Sequence, residues 1–488
     1  MFSFLSFLWF LRTTKSILFW VYLWQLKEYH IGRFLDHFRT EKGKGLLINK
    51  ILGIKIFLFA VYFVLPLFVF FAVMFFYIFE VIKLFLDLLG KKLRKPVLTK
   101  KTALLILTGL LAEFLILFFL LGSTLDIKAF ALWLLVFDIL APLVVSIIVL
   151  AFQPLAVLAR NRIIKRAKEK RSKFKNLLVI GIAGSFGKTS TKEFLATILS
   201  EKFKILKTKE HQNSEIGISQ CILNDLREEQ EVFIAEMGAY NKGGIKLLCD
   251  IVKPKIGIVT GVNEQHLATF GNMDNLLSAE GGGELIESLP ADGVAFFNAK
   301  NEHCRNLYQK TKIKKFLYGE QALFSGGENI FGAMAVAREL GMTEEEISRA
   351  CEKIENKFPG IKIKKGIHGL NVIDATYSAN PDGVLAHLEY LKALPGKKVI
   401  VMPCLIELGK ASAEVHRKIG KKIGEACELA IITTKDRFKE IQEGAGEKAV
   451  FIENPKEILE KIKGFTREGD NVLLESRLPN QLIRELII

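Results

Sequence analysis

The chain has 488 residues, half of them hydrophobic and 38 of them Phe, and a formal net charge of +16. That length allows roughly two to four domains of about 100–200 residues. The composition excludes a disordered chain, a collagen-like chain and a small disulfide scaffold. The charge is uneven: residues 1–175 hold 26 Lys/Arg against 9 Asp/Glu, so a basic, apolar front part precedes a nearly neutral remainder. This split indicates a membrane segment joined to a soluble part. A nucleic-acid binder would more often carry its basic surface on the globular part, so no nucleic-acid partner is expected. The six cysteines all follow residue 220, with no C-x-x-C pair and no zinc spacing, as expected of reduced cytosolic thiols.

In chain order, Met1–Phe10 lacks the basic start and small-residue cleavage site of a signal peptide. Phe2–Trp24 is apolar but broken by Arg12 and Lys15, and is expected either to span a bilayer or to lie along its surface. Ile51–Leu89 is too long for one span at 1.5 Å per residue, so a break is expected near Pro66. Thr102–Leu121 and Ala129–Leu150 form a helical hairpin about the polar hinge Gly122–Lys128. Basic clusters at 91–101 and 160–175 belong on the cytoplasmic face by the positive-inside rule. The expectation is a multi-pass inner-membrane protein with its later domains in the cytoplasm. Glu113 and Asp138 fall inside predicted spans, where an acid either serves a substrate or lipid or faces a neighbouring helix. The run 160–175 reads as a solvated, lipid-facing linker.

From residue 176 short apolar runs alternate with helical patterns, the signature of a parallel α/β sheet. The strand-like Asn176–Ile182 leads into Gly184-Ser185-Phe186-Gly187-Lys188-Thr189-Ser190, and an amphipathic helix follows. Such a loop wraps phosphate with backbone N–H groups at a helix N-terminus. Lys188 can reach the β/γ-phosphates, and the Thr189 hydroxyl can ligate Mg²⁺. The general P-loop pattern is incomplete, because Ile182 stands where its first Gly belongs.

Further motifs come in a fixed order: Asn213-Ser214-Glu215-Ile216-Gly217, Ala235-Glu236-Met237-Gly238, Thr260-Gly261-Val262-Asn263-Glu264-Gln265-His266-Leu267, Asn329 ahead of an Ala-rich helix, Ile373-Asp374-Ala375-Thr376-Tyr377-Ser378-Ala379-Asn380-Pro381, and Glu407-Leu408-Gly409 with His416. Together with the loop they resemble the Mur ligases over about residues 176–488, especially the branch that adds D-alanyl-D-alanine to a muramyl peptide. The resemblance implies ATP-dependent phosphorylation of a substrate carboxylate, then attack by an amine. It makes Lys188, Glu236 and His266 the catalytic set and Thr189, Glu236 and His266 the Mg²⁺ ligands. The loop residues 184–190, Asn298, Asn329 and Asp374 would contact ATP. Asn213, Tyr377, Asn380 and His416 would line the substrate side.

The implied architecture is a helical membrane domain (1–158), a basic linker (159–175), a P-loop α/β domain (176–365) and a smaller Rossmann-like α/β domain (366–488). The implied function is a membrane-anchored amide ligase that adds an amino acid or dipeptide to a cell-wall precursor, with lipid and other wall-synthesis enzymes as further partners. Two alternatives stand beside it: a degenerate nucleotide-binding scaffold, or the same chemistry on a lipid-linked or folate-like acid. Departures from the family pattern support the scaffold. Gly282 occupies the position of the family's carbamylated lysine, with Glu280 as a substitute carboxylate. Ile361 replaces an Arg, and Glu328 replaces a His. The segment between Tyr318 and Glu328 is short. The family's soluble UDP-gripping domain is replaced by the membrane helices.

Overall fold

The computed structural model describes residues 1–123, 125–210, 212–321, 327–354, 362–376 and 380–487. The chain divides into two compact units, Met1–Ala159 and Arg160–Ile488.

The first unit is helical: α1 (Phe2–Leu26), α2 (Ile31–His37), α3 (Glu41–Leu47), α4 (Lys50–Tyr62), α5 (Pro66–Leu89), α6 (Lys100–Gly122) and α7 (Ile127–Ala151). Among the described residues, five helices are long and apolar enough to cross a membrane by length and composition: Phe2–Leu26, Gly43–Tyr62, Pro66–Leu89, Lys100–Gly122 and Ile127–Arg171. The long apolar run breaks between Tyr62 and Pro66, and Pro66 takes the first turn of α5, where its missing N–H costs nothing.

Arg12 and Lys15 do not interrupt α1, because partners on other helices neutralise them. Arg12 Nε lies 3.0 Å from Glu80 Oε2 on α5 and its Nη2 3.7 Å from Asp138 Oδ1 on α7. Lys55 on α4 approaches Asp138 Oδ2 at 2.7 Å, and Lys15 meets Asp87 at 2.8 Å. Asp138 therefore faces neighbouring helices with two cations beside it. Glu113 accepts from the Thr14 hydroxyl at 3.4 Å.

The second unit holds two sheets. β1 (Leu178–Ala183), β2 (Ile205–Lys207), β3 (Val232–Glu236), β4 (Ile256–Val259), β5 (Val294–Asn298) and β6 (Lys314–Tyr318) form the first. Its order is β2-β3-β1-β4-β5-β6, parallel throughout. Parallel strands covered on both faces carry apolar side chains in both directions. In β1, Val179 and Ala183 enter one core while Ile180 and Ile182 enter the other. β7 (Lys362–Lys365), β8 (Asn371–Ala375), β9 (Lys398–Met402), β10 (Leu429–Ile432), β11 (Ala449–Phe451) and β12 (Asn471–Glu475) form the second, in the order β11-β10-β9-β12-β8-β7. It is parallel except for the edge pair β7–β8.

The run 160–175 is not a solvated linker. Most of it is the helix α8 (Gln153–Arg171). Ile164 and Ala167 are buried in the core beside the first sheet. The Arg171 guanidinium donates to the carbonyls of Val252 at 2.9 Å, Phe174 at 2.7 Å and Leu177 at 3.2 Å. Only the other face of α8 keeps its charges in solvent. Replacing Arg171 with Met leaves these carbonyls short of donors, a loss of about 3 kcal/mol at roughly 1–3 kcal/mol per buried unpaired group. The thermal unfolding midpoint of the full chain should fall accordingly, and an unchanged midpoint would contradict this clamp.

Candidate functional site

The loop after β1 and the helix α9 (Lys188–Leu199) form the centre of the site. Gly187 caps α9 in the left-handed region at φ +79, and a Cβ there would meet Asn329 Oδ1 at 2.7 Å. Both facts demand glycine. Ser185 N donates to Gly261 O at 2.7 Å, and the Thr260 hydroxyl donates to the Ala183 and Phe186 carbonyls. The loop is thus braced against the segment after β4. Phe186 lies over Gly261, where any added Cβ would strike its ring. The Lys188 ammonium folds back onto the Gly184 and Ser185 carbonyls. The Ser185 hydroxyl is buried without a hydrogen-bond partner, and Ser190 is half-buried.

Glu236 ends β3 and is buried. The Thr189 hydroxyl donates to its Oε1 at 3.0 Å, and Asn213 Nδ2 reaches the same oxygen at 3.5 Å. Lys192 Nζ lies 3.1 Å from Oε2 and is itself 1% exposed. Lys192 was missed in the sequence, although it lies four residues after Lys188 and therefore on the same helix face. The Thr189 hydroxyl, the Lys192 ammonium and the Asn213 amide thus converge on the strand-end carboxylate, while Lys188 stays on its own loop. Asn329, near the start of the helix Glu328–Glu339, joins them by accepting from the Thr191 hydroxyl at 3.3 Å.

His266 forms a second cluster. It caps the short helix α12 (Leu267–Phe270); the intervening α10 (Glu215–Asp225) and α11 (Gly244–Val252) lie beside the first sheet. Its Nδ1 lies 3.1 Å from Glu280 Oε1 and its Nε2 3.6 Å from Glu407 Oε2. Glu280 is 2% exposed, and its second oxygen has no hydrogen-bond partner. Glu407 comes from the loop after β9, so this contact joins the two sheets' domains. Ala268 N donates to Glu407 O at 3.0 Å, and Asn263 Nδ2 donates to Asp382 Oδ2 at 2.8 Å and reaches Asn380 Oδ1 at 3.4 Å. Asn380 also caps the helix Pro381–Ala393. Burial pushes the Asp382 carboxyl up, while the Asn263 hydrogen bond opposes this.

Three of the expected contact residues are also engaged within the protein. Asn298 is 1% exposed, and its side chain donates to Thr260 O at 2.7 Å and accepts from Lys300 N at 2.9 Å. His416 is 0% exposed, accepts from Leu405 N at 2.9 Å and contacts Ser412 O at 2.6 Å through Nδ1. It braces the loop that carries Glu407, and with both ring nitrogens engaged it does not line a substrate surface. Asp374 accepts from the Thr376 hydroxyl at 2.7 Å and from Lys364 at 2.9 Å. Burial works to raise its pKa, but these bonds outweigh it and hold the carboxyl below its ordinary value. Tyr377 and Ile361 lie outside the described residues.

At Gly282 the backbone has φ +87, and a Cβ would meet Val259 Cγ2 at 2.5 Å, so no lysine fits here without strain. Among the described residues, no group of three His, Cys, Asp or Glu could hold a metal by itself. Mg²⁺ commonly needs only one or two protein ligands beside substrate phosphates, and Thr189 with Glu236 fits that demand. Burial pushes the Cys221, Cys249, Cys304 and Cys427 thiols up to about 12, which keeps them protonated and inert.

Comparison with known proteins agrees with this geometry. Residues 182–360 match the Mur ligase middle domain, and residues 361–478 match the Mur ligase glutamate ligase domain. The chain belongs to the Mur ligase family. A UDP-N-acetylmuramoyl-tripeptide–D-alanyl-D-alanine ligase of Synechocystis is 29% identical over 273 residues, covering 50% of this chain and 59% of the relative. The Bacillus subtilis ligase of the same name is 25% identical over 334 residues, covering 61% and 72%. The chain thus spans less than two thirds of the Synechocystis relative. The MurF ligase of Thermotoga maritima in complex with ADP superposes with a TM-score of 0.58 at 25% identity, covering 67% of this chain and 82% of that one.

Two outcomes test this part of the Mur fold. Gly282→Lys should destabilise the protein by roughly 1–3 kcal/mol, the scale of a strained backbone position, seen as a lower melting temperature. Burial holds the His416 pKa below its ordinary 6.5, so its stabilising effect is complete above 6.5 and is lost as pH falls toward the depressed folded value. Denaturation curves across that window should steepen in pH dependence for the native chain relative to His416→Gln. Parallel curves would contradict the neutral, buried state.

Proposed function

We propose that the chain is a membrane-anchored, Mg²⁺-ATP-dependent amide ligase. It joins an amino acid or dipeptide, D-alanyl-D-alanine in the first instance, to a carboxylate of a peptidoglycan-type precursor at the cytoplasmic face. The observation that carries this reading is Glu236, whose two oxygens meet the Thr189 hydroxyl and the Lys192 ammonium at the C-terminal edge of the first sheet. That edge is where open α/β sheets take their ligands. The names and folds of the relatives supply the substrate class, and the five apolar helices supply the anchor.

Within this reading, backbone N–H groups of residues 184–190 cradle the triphosphate. Lys188 leaves its loop carbonyls to meet the transferring phosphoryl group. Thr189 and Glu236 would hold Mg²⁺, which would supply charge neutralisation on the phosphates. Lys192 pairs with Glu236 and keeps it aimed, and Asn213 borders the acceptor side. His266 with Glu407 couples the second α/β domain to the centre, so that closure excludes water from an acyl phosphate. A scaffold without turnover is the second reading, favoured by the strain that bars a lysine from position 282.

Phosphate release from Mg²⁺-ATP by the detergent-purified chain separates the two. With a muramyl-peptide acceptor and D-alanyl-D-alanine, release should depend on the acceptor and fall at least 100-fold in Lys188→Ala. ATP binding without release under any acceptor would support the scaffold, and absence of ATP binding would refute both.

A further inference from the structure

α8 borders an open groove of about 430 Å³ that Leu247 of α11 flanks. Its wall is one face of α8, carrying Arg160, Asn161, Lys165 and Lys168, with Glu169 at the edge and Leu247 of α11 as its apolar side. Lys165 and Lys168 face one acid, Glu169, while Arg160 is paired with Glu215, so the cleft keeps a net positive charge. Lys165 and Lys168 lie three residues apart on the same helix face and make no ion pair or hydrogen bond among the described residues. Lys170 on the same helix, by contrast, donates to the Leu223 and Leu226 carbonyls.

The rim of the cleft leads toward the reaction centre. Arg160 Nη1 lies 3.4 Å from Glu215 Oε1, the first residue of α10. Two residues earlier is Asn213, whose amide reaches Glu236. The cleft therefore borders the acceptor side of the site, away from the nucleotide loop. It also follows the end of α7 by only nine residues of chain.

We infer that this cleft binds the phosphate or diphosphate group of the acceptor, holding it while its carboxylate lies at Glu236. The inference rests on the ligase reading and adds the acceptor's anchoring group to it. Lysines recognise phosphate as point charges and need no forked geometry, so Lys165 and Lys168 serve a group that arrives in more than one orientation. Binding energy taken up here, remote from the reacting atoms, positions the carboxylate.

The test uses the full chain in phosphatidylcholine nanodiscs and the double variant Lys165→Glu/Lys168→Glu, with Lys173→Glu/Lys175→Glu as a matched change of charge outside the cleft. Binding is measured for a nucleoside-diphosphate-linked muramyl peptide, an isoprenyl-diphosphate-linked one and inorganic pyrophosphate; ADP affinity reports an intact fold. The cleft variant should bind acceptor and pyrophosphate at least tenfold more weakly, with raised acceptor KM, unchanged kcat and unchanged ADP affinity. Loss toward only one acceptor supports the cleft and identifies which diphosphate it takes. Equal acceptor affinity in the native chain and the cleft variant overturns it. So does an equal loss in the matched control, or a loss confined to phosphatidylglycerol vesicles, which would make the surface a membrane contact. Acceptor binding that the variant abolishes, without phosphate release in the native chain, supports the cleft and sinks the ligase reading. Acceptor-dependent release with unchanged KM in the variant does the reverse.

Discussion

A carboxylate held at the end of a buried strand is the constraint around which the catalytic unit is arranged. Glu236 has little contact with solvent, and an ionised carboxylate in such a place is costly unless it is paired and hydrogen-bonded. Thr189, Lys192 and Asn213 supply the partners, and each arrives from a different local need. Thr189 and Lys192 are delivered by the first turns of α9, whose start is set by the left-handed turn at Gly187. Asn213 is held where Gly238 N donates to its carbonyl at 2.9 Å. A shift of the loop, the helix or the strand would leave the charge without partners. The same residues that satisfy the fold are therefore the ones that the proposed reaction would aim at a phosphate.

The second α/β domain is tied to that centre through few but polar contacts. Glu407 meets both the ring of His266 and the backbone of Ala268, and Asp382 meets Asn263. His416, entirely buried, sets the loop that presents Glu407. Polar contacts of this kind exchange readily with water, unlike an apolar interface, and so suit the domain closure that the proposed reaction requires.

Much of this was legible in the sequence because it is periodic or local. The strands near Asn176–Ile182, Val232–Ala235 and Leu429–Thr433 are continuous apolar runs, and the phosphate loop carries its glycines in order. The break at Pro66 followed from proline chemistry. What escaped was set by packing across long stretches of chain. Lys192 was hidden among ordinary helix charges until β3 brought Glu236 beside it. Glu407 is 141 residues from His266. His416 was expected on the substrate side because nothing local shows that a loop folds over it. The basic run 160–175 read as uniformly solvated because charge outweighs its few apolar positions, yet Ile164 and Ala167 dock one face and Arg171 is spent on three carbonyls.

The helical unit carries a different consequence. Asp138 takes its cations from α1 and α4, and Arg12 takes a second acid from α5. No two of these helices can neutralise the group alone. Deleting α1 would strand Glu80 and leave Asp138 with one cation; deleting α4 would remove the other. The helices are therefore interdependent: none of the four can be lost alone without changing the charge balance of the buried group. A unit whose task was only to hold two soluble domains near a surface would have no use for such interdependence, whereas one that must keep a fixed internal arrangement would.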